Sequence, residues 1–421
     1  MNKRNIFTFE DHGEVLSFWD NNKVQNASVI CFDQHLDYKK ISNINIQKLK
    51  EYKLNNKNIN ELNRDLPFRE YETYPFGLDN FIFAANELNI IKKFTWVYPE
   101  NENKYTVSDL GIILLKNLSL VPGEQEEIQS SFKLNKYSAE VTIRNFKIEI
   151  TTLCFLKHRS IDSDILIDID LDYFYDPFKD NLHSISDFNE FLQSIKEKII
   201  SPITLTYSIK SGFLPRKFRG IAKEISLSLN YPLKPYYEQD ELLDSITYIS
   251  QTLYISKVPL GEVAIEKLWE EHLCNLGPTG LGVKSLFYIR LGDLEKAVNL
   301  YTEAKTLGVQ YYWSAYKIGI HLMKEKKYKD ASYFFEEAHG SLNDSIQVHS
   351  LILRSICEFH LGNFQKSLDI SLYSTELLSL RPEPYLISAL SCKELGMKND
   401  FEVYLDKYDS LSKNIFLSVG P

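Results

Sequence analysis

The last part of the chain repeats itself, and that restricts its architecture more than any other feature. After about Gly261 the apolar residues follow a helical period throughout, and aligning on Gly292, Lys326, Gly362 and Gly396 gives spacings of 34, 36 and 34 residues. Seven residues before these anchors stand Ser285, Gly319, Ser355 and Ala389, and five residues after them Ala297, Ala331, Ser367 and Phe401. A small residue on each of two paired helices lets their backbones approach closely. The anchors mark the turns between helices, and Leu294, Tyr328, Phe364, Tyr301 and Phe335 supply apolar packing between neighbours.

The repeat resembles a tetratricopeptide array. Phe401 and Lys398 depart from the pattern, as suits a terminal capping unit. Such an array offers a concave surface for a peptide or partner protein, or else it buttresses its neighbour or mediates self-association.

The first part reads differently. Short β-branched runs alternate with amphipathic stretches, predicting strands at Ile6 to Phe9, Ser28 to Phe32, Phe94 to Val97, Ala139 to Ile143, Phe146 to Phe155, Ile165 to Leu171 and Ile203 to Tyr207. Helices are expected over Leu78 to Ile91, Ser186 to Ile200 and Phe218 to Leu229. This is an α/β pattern with a mainly parallel sheet, and the expected domains are 1–255 and 256–421. A polar stretch from Ile41 to Asn63 reads as a surface insertion, with a lid over a pocket as the sharper alternative.

Charge and cysteine usage narrow the function. Lys plus Arg number 48 against 57 Asp plus Glu, a net charge of −9, which argues against a general nucleic-acid binder. The five cysteines contain no CxxC pair, which fits a reducing cytoplasm and supplies no zinc site. No apolar run is long enough to span a bilayer, and no signal peptide is expected.

Three segments concentrate ligand-type side chains at the ends of predicted strands: Asp11-His12, then Asp33, His35 and Asp37 in DQHLD, then Asp168, Asp170 and Asp172 in DIDLD. In an extended chain alternate residues share a side, so each aspartate set is expected to project together. Carboxylates on a buried strand need countercharge, and the neighbouring sequence offers few basic residues. Two imidazoles and four carboxylates suit two divalent ions, and oxygen-rich ligands without thiolate favour manganese. Turn-capping aspartates and solvated histidines are the plain alternative.

The order of these motifs resembles the arginase and deacetylase superfamily, and EDHGEVL, FDQHLD and DIDLDYF resemble its peptide arginases. The resemblance covers about residues 1 to 230. It implies an arginase-like three-layer fold and a binuclear manganese centre that hydrolyses arginine side chains of a ribosomally made precursor peptide to ornithine and urea by a metal-bridging hydroxide. Carried over by motif, His12, Asp33, His35, Asp37, Asp170 and Asp172 are the implied ligands, Asp33 and Asp170 bridging. Asp168 is left as an outer partner or alternate ligand. Asp37 also serves catalysis. Ile82 stands where the family has a proton-shuttling histidine, so His158 and His183 are the candidate substitutes, exposed histidines without a role being the plain alternative, and Asn80, Ser208 and Ser211 are pocket candidates. The repeats would grip the leader or another part of the peptide. Free arginine, agmatine or an acylated amine are alternative substrates, and a non-catalytic repeat scaffold is the alternative of a different class.

Overall fold

Strands rich in Ile, Val and Phe pair in register in the computed structural model, which describes residues 5–63, 75–100, 104–118, 121, 123–162, 164–199, 202–236, 247–255, 260–340 and 344–417. The chain separates into two compact units. One comprises Met1–Pro67, Tyr74–Asn117 and Ser130–Ser256, and the other holds Lys257–Pro421 with the short segment Leu118–Gln129. The boundary expected at 255–256 abuts residues 256–259, which lie outside the described set.

The first unit is built on a nine-stranded sheet. Its strands in chain order are β1 (Ile6–Phe9), β2 (Ala27–Phe32), β3 (Ile91–Val97), β4 (Lys133–Leu134), β5 (Ala139–Ile143), β6 (Phe146–Thr151) and β7 (Ile165–Asp170). A separate small hairpin of β8 (Tyr175–Asp176) and β9 (Asn181–Leu182) follows, then β10 (Ile203–Thr206) and β11 (Leu233–Pro235) return to the sheet. The order is β11-β1-β10-β7-β2-β3-β6-β5-β4, parallel from β11 to β6 and antiparallel beyond it. All parallel strands therefore end along one edge, and β1, β10, β7 and β2 are consecutive there.

Burial explains why β7 sits at the centre. Every residue of it is buried. Ile167, Ile169 and the following Leu171 are fully enclosed, in one apolar cluster with Phe188 and Leu192 of the helix Ser186–Ile195. Each such side chain contributes about 1.5–3 kcal/mol on leaving water. The opposite parity carries Asp168 and Asp170, so this strand also holds charge inside the fold.

Several boundaries differ from expectation. The strand expected to run to Phe155 stops at Thr151, because Thr152 accepts a hydrogen bond from the Phe155 amide and caps the helix Leu153–Lys157. The stretch from Ile41 to Asn63 forms the helix Asn43–Leu54 and a 3₁₀ turn at Ile59–Leu62, burying Ile46, Leu49, Ile59 and Leu62. It is thus anchored by apolar side chains rather than being only a polar excursion. The helix Val107–Leu118 has no counterpart in the sequence reading.

The second unit is helical. Four helix pairs follow one another: Pro278–Leu291 with Leu294–Thr306, Tyr312–Lys324 with Tyr328–His339, Asp344–His360 with Phe364–Leu377, and Pro382–Glu394 with Lys398–Leu417. Each anchor lies in the turn inside a pair with positive φ: Gly292 at 88°, Lys326 at 60°, Gly362 at 77° and Gly396 at 74°. The small positions are enclosed. Ser285, Ser355, Ala297, Ala331, Ser367 and Ala389 have no exposed surface, and a Cβ on Gly319 would lie 2.8 Å from the Phe335 ring. Gln125 of the added segment accepts a hydrogen bond from the Leu380 amide (3.3 Å).

Candidate metal centre

The edge where the parallel strands end collects the three acidic segments. β1 leads into Asp11 and His12, β2 into Asp33, His35 and Asp37, β7 ends on Asp170, and the loop after β10 carries Ser208. Arg219 pairs with Glu10 and lies over the Tyr207 ring (3.8 Å), tying the loop after β1 to the one after β10.

His12 is the hub. Its Nδ1 faces carboxylate oxygens of Asp37 (3.0 Å), Asp33 (3.2 Å) and Asp170 (3.2 Å), and its Nε2 lies 2.8 Å from Asp168 Oδ2. Across Asp33 stands a second group, with His35 Nδ1 3.0 Å from Asp172 Oδ2 and 3.5 Å from Asp33 Oδ1. His35 is the open member, its side chain 43% exposed, while the five aspartates and His12 are buried.

The aspartates converge by turns more than by strand parity, which corrects the extended-chain reading. β2 ends at Phe32, so Asp33 starts a loop; its Oδ1 accepts the His35 amide (2.7 Å), and Asp37 has φ +50°. Asp168 and Asp170 do lie on β7, but Asp172 belongs to the 3₁₀ turn Leu171–Phe174, whose start is capped by Asp170 accepting the Asp172 amide (3.1 Å). Ser208 is likewise held at φ +50°, and strain of this kind costs of order 1–3 kcal/mol per residue.

Asp168 is saturated by neighbours. It meets His12 Nε2 on one oxygen, together with the Cys31 thiol (3.5 Å), and accepts Thr204 Oγ1 (2.6 Å) on the other. It orients the imidazole so that Nδ1 points at the remaining carboxylates. Ser208 Oγ donates to Asp170 Oδ2 (2.5 Å), and Ser211 Oγ donates to the Ser208 carbonyl (3.3 Å). Both serines therefore fix the site's own loop, where the sequence reading had them facing substrate.

Two expected participants stand apart. Asn80 is buried and spends its Oδ1 on the Gly77 amide (2.8 Å), although the next residue, Phe81, packs its ring 4.4 Å from that of His12. His158 is exposed at the end of Leu153–Lys157 and stacks on Tyr137 at 6.2 Å. That helix follows β6, which β2 and β3 separate from β7, so His158 is not brought into the cluster. His183 donates its backbone amide to the Phe174 carbonyl (2.7 Å), and its Nε2 is buried without a hydrogen-bond partner.

Electrostatics test whether cations fit. Five buried carboxylates face two imidazoles. Burial would lower His12, and partial desolvation would lower the more open His35, but Asp168 beside His12 and Asp172 beside His35 outweigh this and raise both above the usual range. Burial and neighbouring negative charge push Asp37 and Asp170 up, and Asp172 up to about 7. Burial also works against Asp33, but the two imidazoles hold it down at about 2. With only its own side chains the centre is therefore too negative and retains protons. His12 Nδ1, Asp33 Oδ2 and Asp172 Oδ2 are buried without a properly directed hydrogen bond, although charged neighbours stand about 3 Å away. Ligand atoms that crowd together without bonding one another suit a divalent cation between them. Among the described residues the ligand-type groups are two, His12 with Cys31 and Asp33, and Asp33 with His35 and Asp172, so Asp33 belongs to both. Cys31, set aside in the sequence for want of a CxxC partner, was recoverable from its place two residues before Asp33.

No protein-family profile and no curated protein matches the sequence. Solved structures with some likeness include MamA 41-end from Desulfovibrio magneticus RS-1, at 17% identity over 42% of this chain and 96% of that one, TM-score 0.33. MamA MSR-1 C2 is similar at 13% identity over 36% and 85% of the two chains, TM-score 0.30. Likenesses this slight bear on neither mechanism nor ligand. Among the described residues, no helix is long and apolar enough to cross a membrane.

Proposed function

We propose that the α/β unit is an arginase-like, manganese-preferring binuclear hydrolase that removes urea from arginine side chains of a cytoplasmic precursor peptide and leaves ornithine. The observation that carries this reading is the meeting at Asp33 of His12, Asp37 and Asp170 on one side with His35 and Asp172 on the other. Asp33 would be shared by two ion positions. When bound, the ions supply Lewis acidity toward water and toward charge developing in the transition state.

The chain's own residues do the rest. Asp168, held by Thr204, fixes the His12 ring, and Ser208 fixes Asp170. Asp37 Oδ2, 3.0 Å from His12 Nδ1, is placed to hold a proton beside the attacking water. His35, the exposed member, lies ring to ring with Phe213 at 4.7 Å, and these two would flank the incoming guanidinium. The helical unit, tetratricopeptide-like in its repeat length, holds another part of the peptide.

Mass spectrometry of arginine peptides incubated with the manganese-loaded full chain tests the reaction. Loss of CH2N2 from an arginine, with urea released, is the expected result. Urea from free arginine or agmatine but from no peptide would move the substrate to small molecules. Less than one equivalent of bound metal, with no product from any of them, would leave a repeat scaffold.

A further inference from the structure

Cys31 is unused by the proposed reaction, yet it stands inside the centre. Strand pairing sets Cys31 of β2 directly opposite Asp168 of β7, two residues before Asp33. The thiol is buried, donates to Asp168 Oδ2 at 3.5 Å, and its sulfur lies with ligand atoms of His12 and Asp33 inside a 4.8 Å group. Beside it His12 Nδ1 and Asp33 Oδ2, 3.2 Å apart, are fully buried and lack directed hydrogen bonds. Nitrogen, oxygen and sulfur ligand atoms thus lie close enough together to hold one ion.

We propose that Cys31 is a latent soft-metal ligand that makes this half of the centre discriminate between cation classes. With a hard ion such as Mn2+ the sulfur remains a thiol hydrogen-bonded to Asp168, because hard cations prefer oxygen and imidazole. With a soft or borderline ion, Cd2+ or Zn2+, Cys31 becomes a thiolate and joins His12 and Asp33 as a ligand. The S–H bond breaks, its electron pair stays on sulfur and forms the metal–sulfur bond, and the proton is released to the buffer. No electron is transferred. The soft ion is then held more tightly and displaces manganese from this position. The inference rests on the metal reading of the centre and is independent of which substrate it serves.

The test uses the full chain with the exposed Cys154 and Cys274 replaced by serine, so that surface thiols contribute nothing. CdCl2 titration of this metal-free protein should produce thiolate-to-metal ultraviolet absorption that saturates at one equivalent. Adding Cys31→Ser should abolish that absorption and weaken Cd2+ binding about tenfold or more, leaving Mn2+ binding nearly unchanged. Equal absorption with and without Cys31, or none in either, overturns the proposal. X-ray absorption of the zinc-loaded parent gives a reading that needs no Cys31 variant: a sulfur neighbour at about 2.3 Å is expected, and a shell of nitrogen and oxygen alone refutes it. A blank urea assay would overturn the proposed reaction and leave this inference standing, whereas a missing sulfur shell would do the reverse.

Discussion

Replacing Asp33 by asparagine should abolish the stabilisation that divalent ions confer, because Asp33 is the one side chain common to both ligand groups. An ion present at a hundredfold excess over its dissociation constant stabilises the folded state by about 2.7 kcal/mol, so two ions give about 5.4 kcal/mol. For a unit of roughly 150–250 residues each kcal/mol moves the melting temperature by about 2–4 °C. Manganese should thus raise the α/β unit's transition by on the order of 10–20 °C. Asp172→Asn, which touches only the His35 group, should keep about half of that shift. Asp33→Asn should keep almost none. The metal-free proteins provide a second sign. If the carboxylates repel one another, as the raised proton affinities of Asp37, Asp170 and Asp172 indicate, metal-free Asp172→Asn is as stable as the parent or more so, whereas Asp33, held low by the two imidazoles, gives up some stability when neutralised. If Asp33 instead serves a closed structural ion pair with His12, its loss costs about 3–5 kcal/mol. Scanning calorimetry with and without MnCl2, together with counting of bound metal, reads both. A parent whose transition ignores manganese, paired with a strongly destabilised Asp33→Asn, would refute the reasoning.

Asp168→Asn keeps the shape of the His12 partner and removes its charge. Metal affinity should fall about 10–100-fold with the number of ions bound unchanged, as isothermal titration would show. Glu149 is buried between Ser138 (2.6 Å) and Arg159 (2.8 Å); burial raises its carboxyl, but these two partners win and hold it below its usual 4.5. A folded-state value below the unfolded one gives stability that is present above about pH 4.5 and drains away as pH falls through the depressed value. The gap in urea midpoint between parent and Glu149→Gln should therefore be widest near neutrality and close in acid. In the helical unit, Gly319→Ala drives a methyl to 2.8 Å from the Phe335 ring, and this crowding should cost about 1–3 kcal/mol in that unit's unfolding.

The helical unit was the more legible part of the sequence, since its constraints are local and recur. A small residue at Gly319 and a left-handed turn at Lys326 are each needed for one helix to fold back on the next, so spacing alone located them. The α/β strands were legible for a similar reason, as runs such as Ile165–Asp170 are apolar on one parity. Side-chain roles were harder to read. Ser208 and Ser211 stand in the right loop, but only the positive φ of Ser208 turns its hydroxyl onto Asp170. Asp37 and Asp172 reach the centre through a left-handed residue and a 3₁₀ turn, neither of which follows from alternation. His158 failed for a topological reason. Only the order of strands reveals that β6 lies beyond β2 and β3.

The centre also explains why such an unfavourable concentration of charge can persist in a folded protein. Asp168 and Asp170 are buried on a strand whose other face anchors the core through Ile167 and Ile169, so the sheet cannot relax to expose them without giving up that packing. Thr204, Cys31 and the imidazole Nε2 satisfy Asp168 alone. Asp33, Asp37, Asp170 and Asp172 are left to share His12 Nδ1 and His35, two cations at most among four carboxylates. Among the described residues the apolar face thus leaves a charge deficit that the neighbouring bases do not fill, and a bound cation would convert that deficit from a liability into affinity. On this view stability and the candidate site are coupled in the α/β unit through a single strand: the packing that holds β7 in the core also holds Asp168 and Asp170 inside the fold.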